Sequence, residues 1–196
     1  MPRANSRTVR VSRGWAAAGL FVILAGVVLA GALRQLTVAD SVASPGQTSA
    51  GSGSLANEGA APDFTARLLG GGEFTLSQQQ GKPVLVLFTA SWCFDCIPEV
   101  DKLARLHEQF GPRGLQSLAL SVDPGDAEAD FGALRQHTTG QNLLWGLDPG
   151  QKTTLAYKVR ATDTKVLIDG RAQIVFRSVG ATPFETLRDR VAALLD

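Results

Sequence analysis

Two cysteines, Cys93 and Cys96, are the residues of this 196-residue chain best suited to chemistry. They are its only cysteines. A bond between residues three positions apart closes too small a loop to stabilise a fold much, which favours a reactive role. The pair falls where a predicted strand ending at Thr89 gives way to a helix, and a helix N-terminus stabilises a thiolate and lowers its pKa. We predict Cys93 as the attacking nucleophile and Cys96 as the thiol that resolves the mixed disulfide.

Metal and haem sites explain the pair less well. A zinc site of four cysteines is impossible with two, and His107 and His137 have no ligand spacing to the pair. Covalent haem attachment requires a histidine directly after the second cysteine, where this chain has Ile97. We therefore expect no metal and no cofactor.

The elements that must position the cysteines alternate between strand-like and helix-like runs. Continuous runs rich in valine and leucine predict buried strands at residues 83–89 and 115–122. The other predicted elements are hairpins at 64–76 and 165–179, a strand at 142–147, and helices ending at Phe110, at 127–137 and at 151–157. Strands that alternate with helices predict an α/β fold with a mixed central sheet and helices on both faces.

The last helix has the clearest start signal. Residues 182–185 read as a capping box, with Pro183 at the first helical position. Four residues at helical spacing predict its buried face: Phe184, Leu187, Val191 and Leu194.

The N-terminal segment predicts export. Residues 1–13 hold four arginines and no acidic residue, and residues 15–33 form an uncharged, mostly apolar run. A run of about 19 residues nearly spans a bilayer core, whereas cleaved signals have about 7–15, so length favours an uncleaved anchor at residues 1–34. Small residues at 30–32 leave cleavage as the alternative. The arginines predict a cytoplasmic N-terminus and an external C-terminus.

Residues 35–60 are rich in Ser, Gly and Ala and predict a flexible linker, which leaves residues 61–196 as one folded domain. Five of the 19 basic and two of the 18 acidic residues lie within residues 1–60, leaving 14 basic and 16 acidic. That balance provides no basic field to hold nucleic acid.

Short motifs in the domain together resemble one family. They are Ala61-Pro62-Asp63-Phe64, Gly81-Lys82-Pro83, Ala90-Ser91-Trp92-Cys93 with Cys96, Leu167-Ile168-Asp169-Gly170 and Val179-Gly180-Ala181. With these motifs, residues 61–196 resemble the thioredoxin superfamily, specifically its exported TlpA and ResA branch, which includes the thioredoxins of cytochrome c maturation. Residues 123–150 fit the central insertion of that branch. The resemblance implies a thioredoxin-like fold with an N-terminal hairpin, and Cys93 and Cys96 as a redox-active disulfide.

The family's cis-proline beside the active cysteines is replaced here. The matching segment carries Asp163 after Thr162, and a cis bond before a residue other than proline costs about 2.5–4 kcal/mol, so we expect a trans peptide. The resemblance implies that the Asp163 carboxylate lies near the sulfurs, where a negative charge opposes thiolate formation. The alternative is a shifted loop in which Asp163 caps a turn in solvent.

A second departure concerns proton transfer. Leu87 stands where thioredoxin keeps a buried acid for the second cysteine. Glu99, three residues after Cys96, stands where ResA-like proteins carry an acid near the active site. Glu99 is therefore a candidate for that role, the alternative being an ordinary surface glutamate. Pro98 replaces a later helix proline of the family, and we expect it to kink the helix.

Three neighbours of the cysteines are expected to shape docking and redox poise. Trp92, directly before the motif, is expected to lie over the cysteines. Phe94 and Asp95 stabilise the Cys93 thiolate less than the histidine of strongly oxidising relatives, which predicts a comparatively reducing couple. Asp95 could instead favour the helix start through its charge.

These features predict an extracytoplasmic disulfide reductase that acts on exported proteins, with apocytochrome c or a copper-site assembly protein as clients. A membrane thiol electron donor would recycle it. We expect a monomer, anchored by its N-terminal helix, with the catalytic domain on the periplasmic or cell-surface side. The alternatives are a disulfide oxidase, which differs only in potential, and a Sco-like copper chaperone, whose wider cysteine spacing and partnering histidine this chain lacks. The tryptophan-led cysteine pair disfavours a peroxidase.

Overall fold

The computed structural model describes residues 58–196. The predicted anchor at residues 1–34 and residues 35–57 of the predicted linker lie outside the described residues. The linker was predicted to extend to residue 60, which is wrong, because Gly59–Ala60 forms a strand that pairs with Ile174 and Gln173. Within residues 58–196, no helix has the length and apolar character needed to cross a membrane.

The described residues form the predicted α/β fold, with most elements slightly shorter than predicted. The strands are β1 (Gly59–Ala60), β2 (Thr65–Leu68), β3 (Glu73–Thr75), β4 (Val84–Thr89), β5 (Gln116–Ser121), β6 (Leu144–Leu147), β7 (Thr164–Ile168) and β8 (Gln173–Val179). The helices are α1 (Ile97–Phe110), α2 (Glu128–Gln136), α3 (Lys152–Ala156) and α4 (Phe184–Ala192). All six residues of β4 are buried, as its continuous apolar sequence predicts.

One mixed sheet has the strand order β1-β8-β7-β4-β5-β6-β2-β3. Strands β4, β5 and β6 are parallel, so the loops that follow β4 and β5 leave the sheet at the same edge. Strand β7 is antiparallel to β4, and its first residue, Thr164, pairs with Phe88 near the end of β4. The segment before β7 therefore reaches that edge as well.

Apolar residues cover both faces of the sheet. Leu85 and Leu87 of β4 belong to the cluster under α1, α2 and α4, whereas Val86 and Phe88 belong to the opposite cluster, as strand alternation requires. The second cluster is closed by Tyr157, directly after α3, whose hydroxyl donates to the Pro62 carbonyl at 2.8 Å. The strand β4 is thus packed on both faces just before the cysteines.

The predicted capping box at residues 182–185 is wrong. Helix α4 begins at Phe184, which makes Pro183 the N-cap, and no side chain caps the helix. The Thr182 hydroxyl is buried and instead contacts the Ser178 hydroxyl at 2.9 Å and the Gly180 carbonyl at 3.2 Å. The predicted apolar face is present, since Leu187 and Val191 are buried in the cluster under α4.

Candidate active site

Cys93 and Cys96 form a disulfide at the edge where β4 ends. A single 3-10 turn, Phe94–Cys96, follows Cys93, and α1 begins one residue after Cys96. The Cys93 N–H donates to the Ala90 carbonyl, and the Cys96 N–H donates to the Cys93 carbonyl, each at 3.0 Å. Cys93 is 8% exposed and Cys96 is fully buried. An incoming sulfur therefore has access to Cys93 rather than to Cys96.

A groove of about 460 Å³ opens onto the disulfide. Its lining comprises Trp92, Cys93, Phe94, Asp95, Cys96, Thr162 and Asp163. These are all the predicted site residues except Glu99. The two aromatic side chains project into solvent, with Trp92 58% and Phe94 64% exposed.

Thr162 is the residue across the groove that contacts the disulfide. Its Oγ1 lies 3.5 Å from the Cys93 Sγ, and since a disulfide sulfur carries no proton, the hydroxyl is the donor. The Thr162–Asp163 peptide is trans, as predicted: residues 58–196 contain no cis peptide bond. Asp163 adopts a left-handed backbone conformation with φ 61°.

Asp163 is packed inside the site rather than in a solvent turn. Its side chain is 18% exposed and accepts a hydrogen bond of 2.5 Å from the ammonium of Lys165, which is 1% exposed. Burial raises the pKa of Asp163, against the opposing effects of the Lys165 hydrogen bond and charge. The prediction of a carboxylate near the sulfurs agrees with its place in the groove.

Glu99 is buried, so the surface alternative is wrong. Its side chain is 4% exposed, and its Oε1 accepts a hydrogen bond of 2.5 Å from Lys102. Lys165 Nζ lies 3.1 Å from Glu99 Oε2 as an ion pair without hydrogen-bond geometry. Glu99 does not line the groove but lies in the first turn of the helix that starts at the disulfide.

The departures at Leu87 and Pro98 have simple structural outcomes. Leu87 is fully buried and pairs across β4 and β7 with Lys165, so a buried charge remains at this level of the sheet on the neighbouring strand. Pro98 lies in the first turn of α1, where its missing N–H removes no intrahelical hydrogen bond. The expected kink therefore has no cause at this position.

Two aspartates that the sequence analysis missed support the loop before Cys93. The Trp92 indole N–H donates to Asp123 Oδ2 at 2.7 Å, and this hydrogen bond lowers the pKa of Asp123. Asp126 accepts hydrogen bonds from the backbone N–H and the hydroxyl of Ser91 at 2.9 and 2.6 Å, and from the Ser121 hydroxyl. The sequence feature that could have identified them is the polar segment directly after β5. Because β4 and β5 are parallel, this segment lies beside the loop that follows β4.

Comparisons with known proteins identify a matching family and several named relatives. Residues 58–180 match the model of the AhpC/TSA family. Over 128 residues, the chain is 30% identical to the thiol-disulfide oxidoreductase ResA of Bacillus thuringiensis, covering 65% of this chain and 72% of the relative. It is also 34% identical over 121 residues to the thioredoxin-like protein YneN of Bacillus subtilis, covering 61% of this chain and 69% of the relative.

A solved structure from Chlorobium tepidum, described as a thiol:disulfide interchange protein DsbE, has a similar fold. It superimposes with a TM-score of 0.63 at 26% identity, covering 70% of this chain and 96% of that one. The family match, the named relatives and the cysteine pair at disulfide distance lead to one conclusion. The chain belongs to the AhpC/TSA family of thioredoxin-like proteins and is a thiol-disulfide oxidoreductase of ResA and DsbE type.

Proposed function

We propose that this protein is an extracytoplasmic disulfide reductase of exported proteins in which Cys93 attacks the client. The observation that carries the proposal is the unequal exposure of the two cysteines, because both line the groove but Cys93 is 8% exposed whereas Cys96 is fully buried. A buried second thiol is protected from clients and from solvent oxidants. It remains adjacent to Cys93, to which it is bonded in this oxidised form.

In the proposed reaction, the Cys93 thiolate attacks one sulfur of the client disulfide and forms a mixed disulfide, releasing the other client sulfur as a thiolate that takes up a proton. Cys96 then loses its proton and attacks the Cys93 sulfur. The client leaves as a dithiol, and Cys93 and Cys96 form the internal disulfide. Two electrons and two protons have passed to the client, and a membrane thiol donor returns the protein to its dithiol form.

Docking is assigned to the walls of the groove. Trp92 and Phe94 offer exposed apolar surface on either side of Cys93, and a client segment lying between them and Thr162 would bring its disulfide to the Cys93 sulfur. Exposed aromatic residues around a concave site are suited to binding partners of varied sequence.

The reducing direction is supported by the charges near the disulfide. Asp95 lines the groove two residues after Cys93, and a negative charge near a sulfur disfavours its thiolate. A less stable thiolate form favours the disulfide and makes the dithiol a stronger reductant. Clients in cytochrome c or copper-site assembly, whose cysteines must be reduced, fit this direction. The proposal further includes a monomeric protein held to the membrane by residues 1–34.

The catalytic roles can be tested with single cysteine variants of the full-length protein. Wild-type protein in its dithiol form is expected to reduce a peptide disulfide, and Cys93→Ser is expected to abolish the reaction. Cys96→Ser is expected to accumulate a mixed disulfide with the peptide, visible by mass, because the resolving thiol is missing. Mixed disulfide in Cys93→Ser but not in Cys96→Ser would reverse the assigned roles.

Location requires a separate experiment. Alkaline phosphatase, which is active only outside the cytoplasm, can be fused after Asp196. Activity from the full-length fusion, and its loss when residues 1–34 are deleted, are the expected results. Equal activity of the two fusions would contradict the proposed export by the N-terminal segment.

A further inference from the structure

A lysine lies buried directly behind the groove. Lys165 is the second residue of β7 and is 1% exposed, and its strand partners are Leu87 on β4 and Ser178 on β8. Removing an ammonium from water is costly unless partners compensate for the lost hydration. The contacts of Lys165 must supply that compensation.

Those contacts connect three segments around the disulfide. Lys165 Nζ donates to Asp163 Oδ1 at 2.5 Å, to the Asp163 carbonyl at 3.3 Å and to the Gly180 carbonyl at 2.8 Å. The same ammonium lies 3.1 Å from Glu99 Oε2 in the first turn of α1. The Gly180 N–H closes the arrangement by donating to the Asp163 carbonyl at 3.0 Å. Both the side chain and the backbone of Asp163 are thus held.

Asp163 needs such support because of its backbone conformation. Its φ of 61° lies in the left-handed region, which residues other than glycine adopt infrequently, although aspartate tolerates it better than most. Such conformations persist when surrounding contacts enforce them. The residue directly before it, Thr162, places its hydroxyl 3.5 Å from the Cys93 sulfur.

We propose that Lys165 is a positioning residue of the redox centre: it clamps Asp163 so that the Thr162 hydroxyl is held against the Cys93 sulfur. A hydroxyl that donates a hydrogen bond to a thiolate favours the charged form. The Lys165–Asp163 ion pair would in this way fix the loop that faces the disulfide and keep Asp163 in its left-handed conformation. The inference rests on the proposed role of Cys93 as the attacking thiol.

Simple electrostatics gives a competing account that predicts an opposite sign. The charged groups that act on Asp163 are Lys165, Glu99 and Lys102. If Asp163 acted only through its negative charge, its removal would stabilise the Cys93 thiolate. If Lys165 instead fixes the loop by binding the Asp163 side chain, removal of that side chain frees Thr162 and destabilises the Cys93 thiolate.

Glycine and asparagine at position 163 separate the two accounts. Asp163→Gly accepts the left-handed conformation without strain but offers Lys165 no side-chain acceptor. Asp163→Asn removes the charge, tolerates the same conformation and keeps an oxygen that can accept the Lys165 hydrogen bond. Lys165→Met removes the clamp itself, and Lys152→Met removes an exposed lysine on α3 as a matched control.

The experiment measures the alkylation rate of Cys93 by iodoacetamide against pH in the reduced full-length protein, because Cys96 is fully buried. Asp163→Gly and Lys165→Met are expected to raise the midpoint by about one pH unit, a tenfold loss of thiolate below the midpoint. Asp163→Asn is expected to have a midpoint equal to or below that of the wild-type protein. Lys152→Met is expected to leave the midpoint unchanged.

A lowered or unchanged midpoint in Asp163→Gly overturns the proposal, whatever Lys165→Met does. If Lys165→Met fails to fold, as circular dichroism would show, the comparison of Asp163→Gly with Asp163→Asn still gives the sign. The alkylation experiment involves no client protein, so it is independent of the reductase assignment. If that assignment fails, the variants will still show the expected Cys93 midpoints, but the wild-type protein will not reduce a peptide disulfide.

Discussion

The indole N–H of Trp92 donates a hydrogen bond to the carboxylate of Asp123, with 2.7 Å between Nε1 and Oδ2. Trp92 is 58% exposed, so this bond limits the motion of a ring that packing alone would leave free. Asp123 is held in turn by the Gly125 N–H at 2.7 Å. The pair fixes one wall of the groove beside Cys93 and of an adjoining pocket of about 430 Å³ that includes Thr162.

Asp123→Ala is expected to weaken client docking. Loss of this hydrogen bond frees the Trp92 ring, so we expect a higher KM for a peptide disulfide with kcat nearly unchanged. Steady-state kinetics provide the measurement, and Glu185→Ala, which removes an exposed carboxylate on α4, is the control. Equal KM values for both variants would show that Trp92 needs no fixed orientation.

Asp126 is expected to contribute to stability through the loop before Cys93. Asp126→Ala leaves the N–H and hydroxyl of Ser91 and the Ser121 hydroxyl without their acceptor. We expect a loss of about 1–3 kcal/mol in the free energy of unfolding, measured by urea denaturation. Asp130→Ala, at an exposed position of α2, is expected to change it by less than about 0.5 kcal/mol. Equal values for the two variants would contradict this role.

The fold was predictable because its signals are local. The continuous apolar run of β4 and the periodic leucines of α1 each specify one element. The capping box failed for a tertiary reason: Thr182 is buried against Ser178, and Pro183 takes the N-cap position. The strand β1 was not predicted, since two residues carry no periodicity and depend on pairing with Ile174 and Gln173.

The site was predictable where it is contiguous in sequence. Residues 92–96 and the Thr162–Asp163 pair were identified from motif positions, and all of them line one groove. Lys165 was missed because its partners Asp163, Gly180 and Glu99 come together only in three dimensions. The signal that could have found it was a charged residue inside an otherwise apolar strand, which implies a buried partner.

Burial of Asp163 predicts a pH-dependent stability. Its pKa is raised in the folded protein, mainly by desolvation, so the folded state binds a proton more tightly than the unfolded state. Between the unfolded and the folded pKa, the folded state therefore carries more protons, and stability falls as pH rises. Relative to Asp163→Asn, the wild-type protein is expected to lose stability across this window and then level off at higher pH. Urea denaturation at several pH values measures this difference, and a rise would contradict it.

Glu99→Gln tests the buried carboxylate. This substitution leaves Lys102 and Lys165 without one anionic partner, and we expect a loss of about 3 kcal/mol in the free energy of unfolding. If Glu99 also handles the Cys96 proton, the variant will resolve a preformed mixed disulfide more slowly, with a changed pH profile. Glu108→Gln, exposed on the same helix, is the control. A destabilised variant with unchanged resolution kinetics would assign Glu99 a structural role alone.

The reduction potential of the Cys93–Cys96 couple tests the proposed reductase most directly. It can be measured by equilibrating the full-length protein with thiol and disulfide mixtures of known potential. The carboxylate of Asp95 in the groove leads us to expect a value well below that of the glutathione pool, which is roughly −220 to −260 mV by biochemical extraction. A value well above that range would identify an oxidant and contradict the proposed direction of electron flow.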